Sequence, residues 1–339
     1  MSTIRDVAKL ANVSTATVSR VLNNDSKYKM TTETKNRVLD AVTTLDYKVQ
    51  TRTSKKKIIT ASQDTTRIKI GCILSVTKKK YNDPYFMAIL SGVEKLLFSK
   101  GYDISFIRTG PELEDHNCLT STFQEYISGL ILMEPLNKEV YNYIRKHVPH
   151  IVGIDTQRTD IDNVGYDHYQ IADAATKHLI SKGHTKIGFI GGTLGAQQIK
   201  QSQRFQGYYL AMHSAGLEVN DQWTINCQWD EELCANKVDY LCKTQNYPTA
   251  FFVASDLMAM AAMNSFYVNN ISVPKDVAII GMSDIEISRF SNPPLTTIHV
   301  PMEEIGMVAA NLLLERIHGY DLLPQKVILP TSLVLRSST

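Results

Sequence analysis

The sequence has little cysteine, little tryptophan and no long apolar run. Its 339 residues hold five Cys and two Trp. Cys72, Cys118, Cys227, Cys234 and Cys242 are odd in number and form no Cys-x-x-Cys pair, which argues against a disulfide framework or a zinc ribbon and fits reduced, packed thiols. The longest apolar runs, such as "FFVA" and "GLILM", fall far short of the roughly 18 residues that a membrane span needs. The opening "MSTIRDVAKL" alternates charge with apolar residues and has no signal-peptide core, so a cytoplasmic protein is expected. G-x-S-x-G, P-loop and H-E-x-x-H motifs are also missing, and no metal or cofactor is expected.

What is present is a segregated charge. The net +2 hides a basic first segment, residues 1–60, with 12 Lys+Arg against 5 Asp+Glu, and a remainder with 24 against 29. A basic module that meets a polyanion, joined to a mildly acidic body, is the expected arrangement. With 43% hydrophobic and 21% charged residues, the chain is long enough for two or three domains with proper cores.

Residues 3–47 carry three helical patterns. Thr3 with Asp6 three positions on reads as a capping box, followed by Ile4, Val7, Ala8 and Ala11 on one face. Asn12 stands where the chain must turn, and Asn tolerates the left-handed conformation. Ser14 caps a second helix whose Val18, Val21 and Leu22 share a face, and a third starts near Thr31 or Thr32 with Val38, Leu39, Val42 and Leu45 inward. Two helices joined by a tight turn, plus a supporting third, make a helix-turn-helix. With the valines buried, the second helix shows Thr15, Ala16, Ser19 and Arg20, short enough at its start to enter a major groove. Thr reaches a thymine methyl or a base-edge acceptor, Ala leaves room, Arg20 reaches guanine, and Thr17 and Ser19 suit phosphates.

"TIRDVAKLANVSTATVSRVLN" resembles the amino-terminal signature of the lac/galactose repressor family of bacterial transcription factors. The wider set of expected DNA-contacting residues is Thr3, Ser14, Asn23, Thr31 and Tyr47, with Arg52, Lys55 and Lys56 of the following basic stretch. That stretch, "KVQTRTSKKK", departs from the family: Val49 stands where many relatives have Pro, and Lys56 falls near the position of a Leu that wedges into the minor groove. Its lysines and arginine suit phosphate contacts and counterion release better than base unstacking.

From Ile68, β-rich runs alternate with helical ones: "IKIGCILSV", a helix from Pro84 to Ser99, "DISFI", "GLILM", "HIVGID", "KIGFIGG", "AFFVAS" and "VAIIGM". Such alternation predicts parallel sheets with crossover helices, and about 270 residues suffice for two doubly wound lobes. The expected division is a DNA-binding domain at 1–47, a basic linker at 48–66, one lobe at 67–163 plus 298–325, and a second at 164–297 plus 326–339.

Ligands of such sheets bind beyond the carboxyl ends of the strands. Asp83, Asp155, Asp256 and Asp284 occupy such ends, with Gly191 and Gly192 supplying backbone amides, although an Asp after a strand often caps the next helix. Carboxylates with Arg204, and the indole face of Trp229, make carbohydrate chemistry. An enzyme using Asp155 and Asp167 as an acid/base pair, or a secreted sugar-binding protein, is less consistent with the motifs and the basic head.

The resemblance extends through "DNVGYDHYQIADAATKHLISKGHTKIGFIGG", "YPTAFFVASD" and "NPPLTTI", and implies a two-lobed core similar to periplasmic sugar-binding proteins. It implies effector contacts at Arg204 in "RFQGY", Trp229, Asp256, Tyr85 and Phe86. Many relatives carry an Asp at the position of Ser283, so Ser283 or Asp284 is expected there. "VLNND", "NDPYF" and the ending "SLVLRSST" look most like galactose-operon repressors, which implies galactose or a galactoside as effector. The alternative is another ligand, such as a nucleobase, or a protein co-effector. A homodimer on a near-palindromic operator is expected, because one three-helix head touches too little DNA for specific control.

Overall fold

The computed structural model describes residues 3–22, 31–45, 68–76, 80–193 and 198–339, and the chain forms two units, Met1–Asp64 and Thr65–Thr339. In the first unit, α1 (Ile4–Leu10), α2 (Thr15–Leu22) and α3 (Thr32–Thr44) pack through Val7, Ala8, Ala11, Val18, Val21, Val38 and Ala41, all buried. Val13, Val42 and Leu45 lie against them. The caps follow from the sequence. The Thr3 backbone N–H and hydroxyl both donate to Asp6 Oδ2 at 2.7 Å, and these bonds hold the Asp6 carboxyl below its ordinary range. Asn12 adopts φ +48°, and the next N–H, of Val13, returns to Ala8 O at 3.0 Å, closing α1 and starting the turn into α2.

The second unit opens with β1 (Ile70–Leu74), α4 (Pro84–Ser99), β2 (Ile104–Thr109), α5 (Gly110–Leu113), α6 (His116–Thr122), β3 (Gly129–Met133), α7 (Lys138–His147), β4 (His150–Ile154) and β5 (Asp162–Gly165). It continues with α8 (His168–Ser181), β6 (Ile187–Gly191), α9 (Gln203–Ser214), β7 (Thr224–Asn226), α10 (Glu231–Lys243), β8 (Ala250–Val253), α11 (Asp256–Val268) and β9 (Ala278–Ile280). β10 (Thr297–His299), α12 (Met302–Ile317), β11 (Lys326–Ile328) and β12 (Ser332–Val334) complete it. The first sheet runs β11-β5-β4-β3-β1-β2 and the second β7-β6-β8-β9, parallel throughout. β1, β3, β6 and β8 are buried at every position because helices cover both faces, so they read as unbroken apolar runs. β10 and β12 form a separate antiparallel pair.

The two-lobed reading holds, but the lobe boundaries shift. β11 does not belong with the second lobe: Lys326–Ile328 pairs with Asn163–Gly165 at the edge of the first sheet. The cause is buried Asp162, which accepts Arg316 Nε and Nη2 at 2.6 and 2.8 Å and the Gln325 N–H at 2.7 Å, pinning the end of α12 and the following strand to β5. β10 in turn lies beside the end of β9, through bridges Ile280–Thr296 and Ser283–His299. The final residues return to the second sheet, where Ser338 Oγ donates to Ile279 O at 2.6 Å. All five cysteines are free, and burial pushes the Cys72 thiol up to about 12.

One helix contact bears directly on the site. Gly207 of α9 faces α8 so closely that a Cβ there would lie 2.2 Å from the Tyr169 carbonyl oxygen. Glycine at this crossing lets α9 carry Arg204, one turn earlier, up to the strand ends.

Candidate functional site

On the first unit, α2 exposes Thr15 and Ala16, with Ser19 and Arg20 partly exposed. Ser14 accepts the Thr17 N–H at 3.1 Å and its hydroxyl lies 2.9 Å from that of Thr17, so these two hydroxyls first build the cap. Thr31 caps α3 in the same way, its Oγ1 2.9 Å from that of Thr34, and Thr3 is engaged with Asp6. Asn23, Tyr47, Arg52, Lys55 and Lys56, together with the whole basic linker, lie outside the described residues.

On the second unit, the carboxyl ends of both sheets face one cleft of about 1040 Å³. Its wall includes Asp83, Tyr85, Phe86, Asp155, Arg204, Trp229 and Ser283 among the expected contacts, and Gly192. Asp83 also caps α4, accepting the Tyr85 N–H at 3.0 Å, and burial raises its carboxyl above the ordinary range. Lys80 pairs with Glu231 from the other side of the cleft.

Arg204 sets the polarity of the floor. Its guanidinium lies over the Trp229 indole, 4.9 Å from the ring centroid, and Nη2 donates to the Tyr166 hydroxyl at 3.2 Å. Its Nε is buried and, among the described residues, has no hydrogen-bond partner. Burial opposes the Arg204 charge, yet Tyr166 and Glu134 hold its value above the ordinary one. The Tyr85 hydroxyl is 3.2 Å from Asp155 Oδ2 and from the Tyr166 hydroxyl, and His168 Nε2 is 3.2 Å from Asp155 Oδ1. Burial keeps Tyr166 and His168 neutral: it pushes Tyr166 up to about 12, and with Arg204 it holds His168 below its ordinary value. A Cβ on Gly192 would meet the Trp229 ring at 2.5 Å, so the small residue is what admits the indole.

The backbone marks the same place. Among the described residues ten non-glycine positions have positive φ, and six of them, Glu134, Asp155, Gln157, Gln228, Trp229 and Ser283, line the cleft. Each such conformation costs about 1–2 kcal/mol, so their gathering at one site points to side chains held in place for a ligand.

Two expected contacts are corrected. Asp256 is 1% exposed and not in the cleft wall: Oδ1 accepts the Thr297 hydroxyl at 2.6 Å and Oδ2 the Ile285 N–H at 3.0 Å. Burial raises its carboxyl to about 6. It ties α11 to the loop after β9. Asp284 likewise turns away, to Arg336 Nη2 at 2.6 Å and His299 Nδ1 at 3.1 Å. Thr297 approaches from β10 and Arg336 from the residues after β12, which no local pattern announces. Ser283, at φ +127°, is the member of that pair in the cleft wall. Conversely Glu134, Tyr166 and His168 line the cleft and were not expected. Glu134 and Tyr166 directly follow "GLILM" and β5, so the strand-end rule applied to every strand would have found both.

A family described as bacterial regulatory proteins, lacI family, matches residues 3–50, and a periplasmic binding protein-like domain matches residues 176–339. An HTH-type transcriptional repressor PurR of Aliivibrio salmonicida is 35% identical over 327 residues, spanning 94% of this chain and 92% of that protein. The PurR repressor of Actinobacillus pleuropneumoniae serotype 3 is 34% identical over 346 residues, spanning 100% and 98%. Neither bears the name of a galactose-operon repressor. Among solved structures, a complex of the transcriptional regulator CelR with cellobiose is 25% identical, covers 100% of both chains and superposes with a TM-score of 0.72. The lac repressor dimer bound to operator and an anti-inducer, 22% identical over 99% of this chain and 98% of its own, shares the fold with a TM-score of 0.67. With whole-chain relatives above 30% identity and the amino-terminal match laid on the three-helix unit, the chain belongs to the lacI family of bacterial regulatory proteins.

Proposed function

We propose that this chain is a DNA-binding repressor whose operator affinity is set by a neutral, hydroxyl-rich ligand, a sugar, held in the cleft of the second unit. The observation that carries the ligand class is the polarity of the wall. Asp83, Asp155, Asp230, Glu231 and Glu232 face Lys80 and Arg204, a surplus of acids that disfavours anionic ligands. The Arg204–Trp229 stack adds a fork of donors beside an indole, which suits hydroxyls on one side of a sugar and its C–H face on the other.

α2 supplies the reading face, with Thr15, Ala16, Ser19 and Arg20 for base edges and phosphates. A homodimer presents two such helices to the half-sites of a palindrome. Because ligand and DNA favour different lobe arrangements, each lowers the affinity for the other, and by linkage the factor is the same in both directions. Induction, with ligand releasing DNA, is the sense we assign.

A second reading has its own support. The relatives named PurR are purine repressors, and Phe86 and Trp229 both line the cleft, where two rings suit a planar base. Calorimetry of the full chain against galactose, cellobiose, hypoxanthine and guanine separates the two. Binding of a sugar at submillimolar concentration supports the first reading, and binding of the bases alone overturns it.

A further inference from the structure

The acids of the cleft floor are not equivalent. Asp155 has a protein partner on each oxygen, the Tyr85 hydroxyl at Oδ2 and His168 Nε2 at Oδ1, and it is 8% exposed. Its Oδ1 also presses on Gly165, where a Cβ would come within 2.2 Å. Asp155 therefore holds the floor together. Glu134 stands differently. It follows β3 at φ +67°, its backbone N–H anchored on Ile154 O at 2.9 Å, a conformation disfavoured for any residue with a side chain and kept where the surroundings impose it. Glu134 lines the cleft and, among the described residues, its carboxyl accepts no hydrogen bond and joins no ion pair. Beside it, Arg204 offers five donors and no acceptor, and among the described residues its buried Nε has no partner.

Resting on the sugar reading above, we propose that Glu134, and not Asp155, is the specificity-determining acceptor that takes the ligand's O–H donors. A proton follows from that role. The groups that act on Glu134 or it on them are Asp155 at the end of β4, Arg204 on α9 and Tyr85 on α4, and Tyr166 after β5 and His168 at the start of α8 line the same cleft. Burial and Asp155 push Glu134 up to about 8, with Arg204 opposing, so the ligand-free carboxyl is mostly protonated at pH 7. Ligand hydroxyls that donate to it favour the carboxylate, so binding releases the proton to solvent. The bound value falls, and affinity rises with pH until it levels off above about 8. Tyr85 and Tyr166, raised by burial, and His168, lowered by it, stay neutral through that window.

Calorimetry of the full chain with galactose, in phosphate and in Tris between pH 6.5 and 8.5, reads the proton directly from the difference in heats. The expected result is release of about one proton per galactose at pH 7, and for Glu134→Gln an affinity ~10–100-fold weaker with no release. An unchanged circular-dichroism spectrum establishes that the variant is folded; the wild-type release decides even where it is not. No release by the wild type, affinity that falls as pH rises, or unchanged binding by Glu134→Gln overturns the assignment. Failure of the sugar reading looks different: galactose and cellobiose give no heat while hypoxanthine does, and the same two readouts on hypoxanthine then judge Glu134. If no probe binds the wild type, both fall.

Discussion

The guanidinium of Arg204 lies 4.9 Å from the centre of the Trp229 ring, with Nη2 on the Tyr166 hydroxyl. Arginine is suited to this position by shape as well as charge, because a planar fork stacks and an ammonium does not. Arg204→Lys is therefore expected to weaken cleft-ligand binding by tenfold or more, the equivalent of about 1.4 kcal/mol. Affinity for DNA without ligand stays at the wild-type level. Calorimetry and fluorescence anisotropy on the same preparation check the two halves; ligand affinity equal to wild type shows the stack to be dispensable.

Gly207 sets the distance between α9 and α8. A methyl there meets a backbone oxygen at 2.2 Å, and backbone has little room to give. Gly207→Ala is expected to cost about 1–3 kcal/mol of stability and to reduce ligand affinity as well, since Arg204 rides on the same helix. Urea unfolding and ligand titration together test it, and a variant with full stability contradicts the packing account.

Asp256 is a structural acid and its pH dependence has a definite sign. Its folded value, about 6, lies above its ordinary 3.8, so its contribution is fully present below about pH 4 and is lost as pH rises through 6. Asp256→Asn leaves one of two buried donors, the Thr297 hydroxyl or the Ile285 N–H, without an acceptor, at a cost of about 1–3 kcal/mol. Unfolding free energies at pH 4.5, 6 and 7.5 should show this component of the slope in the wild type and not in the variant.

Arg20 lies near the end of α2, on the turn after Thr15 and Ala16. Arg20→Ala is expected to lower discrimination between operator and scrambled duplex by about 1–3 kcal/mol while sedimentation shows the same oligomer as wild type. Anisotropy with both duplexes measures it, and an unchanged ratio removes Arg20 from base readout.

The amino-terminal unit was legible from the sequence because its determinants are local. Thr3 and Asp6, or Ser14 and Thr17, are three residues apart, and Asn12 needs only its own tolerance of φ +48°. The apolar strand runs were equally plain, since a strand covered on both faces has no polar positions. Tertiary structure alone decided which acids line the cleft. Asp256 and Asp284 follow strands just as Asp155 does, yet they are claimed by Thr297 and Arg336, 41 and 52 residues away in the chain. β11 joins the first sheet because Arg316 reaches back 154 residues to Asp162. A carboxylate takes the nearest donor in space, and spacing along the chain encodes that neighbour only when both lie on one turn of helix.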